Sequence, residues 1–154
     1  YAVVMSMKEE NIPEFRRRFE EFVASHIRPD QLYPQTLIDA EISFSDITPE
    51  FINSLKKFNP FGPGNQKPVF LTKNVFDFGT SKIVGKNMEH IKLELEDNST
   101  SRVLNAIAFN MAPYFEHIHA HKPVDICYTI EQTKHKNSID SIQLMIKDIR
   151  PSEF

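Results

Sequence analysis

The sequence predicts an α+β protein that is mainly β: a small, truncated α+β unit followed by a closed five-stranded barrel with a helix between strands three and four. Apolar residues recur at helical spacing near the N-terminus and alternate with polar residues in most later segments. A cluster of proline and glycine separates the two patterns. We therefore expect three parts, namely residues 1–58, a linker over residues 59–68 and the barrel over residues 69–154.

The composition is that of an ordinary globular protein, with 40% hydrophobic and 25% charged residues among 154. No apolar stretch is long enough to cross a bilayer, and the N-terminus carries no signal-peptide pattern, so we expect no membrane partner. Cys127 is the single cysteine, which excludes a disulfide within the chain and makes the reducing cytoplasm the expected compartment. We expect a monomer.

The first 58 residues predict the order strand, helix, strand, helix. Residues 2–7 are a short apolar strand candidate, and Asn11 with a following proline marks the start of a helix over residues 12–22. Alternation over residues 38–44 predicts a half-buried strand. Thr48 then begins a second helix, so we expect a small α+β unit whose sheet starts upstream of the chain.

Three consecutive arginines follow the first turn of the N-terminal helix. Arg16, Arg17 and Arg18 predict either a phosphate-binding patch or a solvated helix face with ion pairs four residues apart. We favour the solvated face, because glutamates flank the arginines at helical spacing.

The second part of the chain predicts five strands and one helix. The first strand is long, or divided in two at Gly79, where glycine inside an apolar run indicates a bulge or a sharp bend. A helix over residues 111–119 separates the third strand from the fourth, which is the plan of the OB-fold, whose binding surface lies on strands two and three. The predicted strands cover residues 69–78 with 82–84, then 91–95, 103–109, 124–130 and 141–149.

The segment at the junction carries a family resemblance. Residues 58–70 resemble the PFGxGNxxPVF signature of RecJ-family exonucleases, at the point where a DHHA1-type domain passes into the OB barrel. The preceding strand and helix look like the end of the DHHA1 domain, so the resemblance covers essentially the whole chain. Further segments that look like the family are residues 84–85, 90–93, 106–109, 124–125, 143–144 and 148–151.

The resemblance implies a processive 5′-to-3′ exonuclease that degrades single-stranded DNA in recombination and repair. It also implies a catalytic core that binds Mn²⁺ or Mg²⁺ through aspartates and histidines, including an Asp-His-His motif. That motif does not occur in this sequence. We therefore expect a C-terminal fragment with no catalytic residue, no metal site and no cofactor of its own, which does not hydrolyse DNA alone.

A local excess of lysine predicts where a nucleic acid binds. Residues 67–92 contain five lysines against Asp77 and Glu89, an excess of +3 in a chain whose net charge is −3. Single-strand binding needs such a basic groove together with flat aromatic faces, and we expect the two loops near Lys86 and His135 to clamp the strand. The candidate residues are Lys73, Phe76, Phe78, Lys82, Lys86, Asn87, His90, Lys92, Arg102, Lys134, His135 and Lys136.

Each candidate also has a structural interpretation. Phe76 and Phe78 share one strand face, where they either stack on bases or belong to the core. His90 either contacts phosphate or caps its strand, and scattered lysines are common on surfaces. As an alternative function, the same barrel surface docks a replication partner such as a single-strand-binding protein.

Two further groups of residues could form chemical sites. His117 and His121 stand four residues apart, a spacing that can bind Zn²⁺ on a helix, but no matching ligand pair is near them in the sequence. Cys127 lies within an alternating strand, which predicts a packed thiol instead of a nucleophile.

Overall fold

The computed structural model describes residues 3–33, 35–133 and 141–152. Contacts within the chain divide it into two compact units, Tyr1–Gln35 and Thr36–Phe154, which are described separately below. No helix in the described ranges is both long and apolar enough to span a bilayer.

The first unit is helical. A 3₁₀ turn over Glu9–Asn11 leads into helix α1, Ile12–His26, and a second 3₁₀ turn covers Pro29–Leu32. The predicted strand over residues 2–7 is wrong, because residues 3–8 have no regular structure and Val4 is 94% exposed. A strand needs a hydrogen-bonded neighbour, and no other described segment of this unit is a strand.

Helix α1 has one charged and one apolar face. Arg17 pairs with Glu14 at 2.8 Å and with Glu21 at 2.7 Å, as expected for a solvated helix face. The predicted apolar face also forms, but it is not buried, since Phe19 and Phe22 are more than half exposed and no residue of α1 is buried.

The second unit is a closed barrel. Its elements are β1 Ala40–Glu41, a 3₁₀ turn Phe44–Asp46, α2 Pro49–Lys56, β2 Phe70–Asp77, β3 Lys82–Val84, β4 His90–Asp97, β5 Arg102–Ala108, a 3₁₀ turn Ala112–Tyr114, α3 Phe115–His119, β6 Val124–Thr133 and β7 Ser141–Pro151. Strand β2 pairs with β4, β4 with β5, β5 with β7, β7 with β6 and β6 with β2, which closes a circle of five strands. The β5–β7 pair is parallel, the other four are antiparallel, and β1 adds a short parallel strand beside β2.

Strands β2 and β3 together act as the long first strand of the barrel. The start of β2 pairs with β6, its end pairs with β4, and β3 continues along β4. The break predicted at Gly79 is confirmed, since this residue has a φ of +97°, which glycine adopts without strain. A register shift between Thr72 and Val75, with Asn74 at a φ of +55°, marks the change of partner within β2.

The barrel interior is filled by alternate residues of each strand. Ile91, Leu93 and Leu95 of β4 are almost fully buried, which confirms the predicted alternation. At one end, the ring of Tyr128 contacts Phe44 and Phe70 with centroid distances of 6.4 and 6.3 Å. Burial of such rings dominates the energetics of a core, so this aromatic cluster anchors the end of the barrel.

The compact unit starts at Thr36, earlier than the expected linker over residues 59–68. The physical reason is that Phe44, Ile47 and Ile52 are buried in the same core as the strands. The strand predicted over residues 38–44 is shorter than expected, because the backbone leaves β1 after two residues and turns into the 3₁₀ segment that inserts Phe44.

The helix predicted before the fourth strand is present as a 3₁₀ turn followed by the single turn of α3. It packs on the β2–β3 bend, where His119 Nδ1 lies 3.0 Å from Asp77 Oδ2. Helix α3 ends before His121, whose φ is +52°, so His117 and His121 do not share a helical face. The spacing argument for a zinc site therefore does not hold.

Candidate nucleic-acid interface

The outer surface of β3, β4 and β5, together with residues 76–78 at the end of β2, is here called the β3–β5 face. Because successive side chains of a strand point to opposite sides, the buried Ile91 and Leu93 place His90, Lys92 and Glu94 on the outside. Cross-strand register then arranges this face in rows that run across the three strands.

One half of the face is basic. Lys82 is the direct partner of Lys92 across β3 and β4, and Ile107 completes the row on β5. Lys86 and Asn87 are exposed in the turn between β3 and β4. No carboxylate of the described residues lies within 4.0 Å of Lys82, Lys86 or Lys92. Like charges directly opposite each other destabilise a sheet, so this pair favours a bound anion.

The other half of the face is acidic. Glu96 is the cross-strand partner of Phe76, which is half-buried. Glu94 accepts a 2.6 Å hydrogen bond from Thr80 Oγ1, and its backbone carbonyl accepts the N–H of Phe78. Phe76 and Phe78 do lie on the outer side of the sheet, as their spacing predicts, with Phe76 opposite Glu96 and Phe78 bonded through its backbone to Glu94.

Two further candidate residues lie at the end of the barrel near the 3₁₀ turn Phe44–Asp46. Lys73 pairs with Glu41 at 2.8 Å. Arg102 Nη1 donates a 2.8 Å hydrogen bond to the carbonyl of Phe44. Both cations already have protein partners, and the structure does not bring them together with Lys82 and Lys92.

Asp97 organises that end of the barrel. Its Oδ2 accepts the N–H of Phe44 at 2.8 Å, and its Oδ1 accepts the N–H and hydroxyl of Ser99 at 2.9 and 2.7 Å. Burial on its own raises the pKa of the Asp97 carboxyl, but these hydrogen bonds outweigh burial and hold the pKa below the usual 3.8. The carboxylate is therefore charged, and its role is structural.

His90 is held in place by the end of β5. Its Nδ1 accepts the backbone N–H of Asn110 at 3.1 Å, and its ring meets Phe109 edge to face with a centroid distance of 4.9 Å. Sequence reasoning missed Phe109, which is 50% exposed at the basic end of the face. The signal was available, because Ala106 and Ala108 point inward and the next residue must point outward.

The remaining candidates, Lys134, His135 and Lys136, lie outside the described residues. The strands that lead to and from them are described as far as Thr133 and from Ser141. Because Gln143 pairs with Asn105, Thr133 and Ser141 lie near the start of β5. The turn with Lys86 precedes β4 and therefore lies near the end of β5.

Neither a metal site at the histidines nor a nucleophilic Cys127 has structural support. In the described ranges, no group of three or more histidine, cysteine or acidic residues is placed to hold a metal ion. We assign no step of metal-dependent hydrolysis to these residues. Burial raises the pKa of the Cys127 thiol, with Asp148 adding to the rise, which disfavours the thiolate needed for nucleophilic attack.

A five-stranded barrel with this strand order, a parallel β5–β7 pair and a helix before β6 defines the chain as an OB-type domain. More particularly, the chain belongs to the RecJ OB domain family, whose model matches residues 38–148. The resemblance noted at residues 58–70 is thereby confirmed.

Relatives cover almost the whole chain. It is 29% identical over 153 residues to the single-stranded-DNA-specific exonuclease RecJ of Bacillus subtilis, covering 99% of this chain and 19% of that protein. It is 25% identical over 150 residues to the protein of the same name from Haemophilus influenzae, covering 97% of this chain and 26% of that protein. The chain thus spans about a fifth to a quarter of the length of these relatives.

Among solved structures, a replication protein A heterotrimer bound to single-stranded DNA aligns with 99% of this chain and 46% of that chain. The TM-score is 0.40 and the identity is 6%. An overlap of this size carries no argument about function.

Proposed function

We propose that the basic half of the β3–β5 face binds single-stranded DNA. The observation that carries the proposal is the Lys82–Lys92 pair, two exposed cations held side by side with no described carboxylate in contact. A nucleic acid strand carries a phosphate at every nucleotide, and such an anion matches the lysine pair. Lys86, in the adjacent turn, extends the row of cations.

We further propose that the chain is the C-terminal part of a RecJ-like 5′-to-3′ single-strand-specific exonuclease that acts in recombination and repair in the cytoplasm. The names of the relatives support this proposal. On this view, the Mn²⁺- or Mg²⁺-dependent hydrolysis belongs to the part of those relatives that this chain does not span, and the barrel holds the strand while it is cut.

The test is a titration of a fluorescent oligothymidylate with the whole chain, followed by anisotropy between about 50 and 200 mM salt. Each phosphate contact adds about 0.7 to the slope of log K against log salt for a single strand. Replacing Lys82 and Lys92 by glutamine should therefore lower the magnitude of the slope by about 1.4 and weaken binding at low salt.

Replacing both Lys56 and Lys57 by glutamine is the matched control, because it also removes two charges, from the end of α2, which is not part of the β3–β5 face. Its slope should equal that of the wild type. Equal slopes for the double variant and the wild type would contradict the proposal. Absence of single-strand binding at low salt would instead favour the alternative in which the barrel docks a protein partner.

A further inference from the structure

Phe109 and His90 lie on the outer side of the sheet, one row beyond the lysine pair. Lys92 and Ile107 form one row, and His90 is the next outward-facing residue toward the start of β4. Phe109 directly follows Ala108, the last residue of β5. Residues two apart along a strand are about 7 Å apart, so His90 lies within one nucleotide's reach of Lys92. A phosphate held by the lysines therefore brings a base close to the Phe109 ring.

The two rings are positioned in advance of any ligand. Nδ1 of His90 accepts the N–H of Asn110, and only 24% of the His90 side chain is exposed, so its ring is fixed in the sheet. Its edge-to-face contact with Phe109, at an angle of 81°, holds the phenylalanine while half of that side chain stays open to solvent. The nearest carboxylate, Glu89 Oε1, is 3.6 Å from His90 Nε2, which is too long for a hydrogen bond.

Other aromatic residues of the face are less suited to this role. Phe76 is half-buried opposite Glu96, and Phe78 is exposed but bonded through its backbone to Glu94. The Glu96 carboxylate opposite Phe76 repels the phosphates that accompany every base, and the backbone of Phe78 is tied to the part of β4 that carries Glu94 and Glu96. Phe109 is the exposed ring on the half of the face that carries unpaired cations in the described part of the chain.

We propose that Phe109, oriented by His90, forms a nucleobase-stacking subsite at the basic end of the β3–β5 face. This inference rests on the proposed single-strand binding and names a residue that the lysine argument does not require. Stacking on an aromatic ring tolerates any base, which suits a protein that follows a strand without regard to sequence.

The test compares Phe109→Leu with the wild type on an oligothymidylate and on an abasic oligomer of equal length. Loss of a stacked base should weaken oligothymidylate binding by at least about fivefold. On the abasic oligomer the two proteins should bind equally, since no base is present to stack. Phe109→Trp should bind oligothymidylate at least as tightly as the wild type.

Phe58→Leu is the control, because it removes a similarly exposed ring from the segment before β2, and its affinity should change by less than about twofold. Thermal unfolding establishes that each variant folds. If Phe109→Leu does not fold, the wild type with an oligomer containing 2-aminopurine provides the readout, since stacking quenches that base and Phe109→Trp should deepen the quenching.

The outcomes separate this inference from the function on which it depends. Wild-type protein that ignores single-stranded DNA at low salt overturns both. Wild-type binding that needs Lys82 and Lys92 but is unchanged in Phe109→Leu overturns the stacking subsite alone, as does an equal loss for Phe109→Leu on oligothymidylate and on the abasic oligomer.

Discussion

Single polar side chains join the segment before the barrel to the barrel itself. Asp97 accepts hydrogen bonds from Phe44 and Ser99, and Arg102 closes the same end by donating to the Phe44 carbonyl. Thr72 adds a second link, since its hydroxyl bonds the Ile42 carbonyl and the buried hydroxyl of Tyr128. A buried donor that loses its partner costs the full free energy of desolvation, so these few residues are decisive for stability.

Asp97→Ala should lower the free energy of unfolding by about 2–3 kcal/mol, because it leaves the N–H of Phe44 buried without an acceptor. Urea denaturation at neutral pH measures the change. Asp30→Ala, which removes an exposed pair with Arg28, is the control and should cost less than about 0.5 kcal/mol. Equal effects of the two substitutions would show that Asp97 is not an anchor.

The same prediction has a pH dependence with a defined sign. The pKa of Asp97 in the folded protein lies below its usual value of 3.8, so its stabilising contribution is complete above that value. The contribution is lost as the pH falls through the folded-state pKa. The difference in stability between the wild type and Asp97→Ala should therefore shrink below about pH 4.

At the scale of elements, strands inside the barrel were predicted well and segments outside it were not. Alternation along residues 91–95 reports burial on one side, and the structure confirms it. The same pattern over residues 38–44 does not report burial, because Ile38 and Ala40 are exposed and only Phe44 is buried, from a 3₁₀ turn and not from a strand. Periodicity of two therefore predicts burial only where hydrogen-bonded neighbours form a strand, and those neighbours are not encoded locally.

The turn between β3 and β4 depends on Gly85, which has a φ of +101°. A Cβ there would lie 3.1 Å from Glu89 Oε2 and 3.2 Å from His90 Cδ2. Gly85→Ala combines backbone strain of about 1–2 kcal/mol with this crowding, so we expect a loss of about 2 kcal/mol in stability.

Gly62→Ala provides the comparison, because a Cβ at Gly62 meets nothing within 4 Å and its φ is not positive. Its free energy of unfolding should stay within about 0.5 kcal/mol of the wild type, as is usual for surface substitutions. Denaturant titration of both variants checks the prediction. If the free energy of unfolding of Gly85→Ala equals that of the wild type, the turn rearranges to accept the methyl group.

For the whole molecule, the core defines the folding unit more clearly than the proline and glycine cluster. Every buried hydrophobic residue of the described chain lies between Phe44 and Ile149. A chain that starts at Thr36 should keep this core and melt within a few degrees of the full chain. A chain that starts at residue 69 loses Phe44, Ile47 and Ile52, each worth about 2–5 kcal/mol, and should not fold.

Circular dichroism with thermal melting distinguishes these two truncations. Cooperative unfolding of the chain that starts at residue 69 would support the domain boundary expected from the sequence. Failure of the chain that starts at Thr36 would show that the first unit contributes stability that its exposed residues do not reveal.

The candidate site was predictable in part. Local composition identified Lys82, Lys86 and Lys92, because a cluster of cations can be read directly from the sequence. Their separation from Lys73 and Arg102 was not predictable, since it depends on which carboxylate or carbonyl the fold brings to each cation. The alternation of Ala106 and Ala108 indicates that Phe109 points outward, but its contact with His90 joins two segments that only the fold makes neighbours.

The change of partner within β2 makes the barrel intolerant of altered chain length at one point. Lys73 and Asn74 are the two exposed residues of this bulge, so deleting Asn74 would restore plain alternation and remove the bend at which β2 changes partner. The segment from residue 59 to residue 67 has no such bend to keep, and its described backbone forms one isolated bridge. We therefore expect the fold to tolerate inserted residues in the segment before Phe70 and not in the seven residues that follow Phe70.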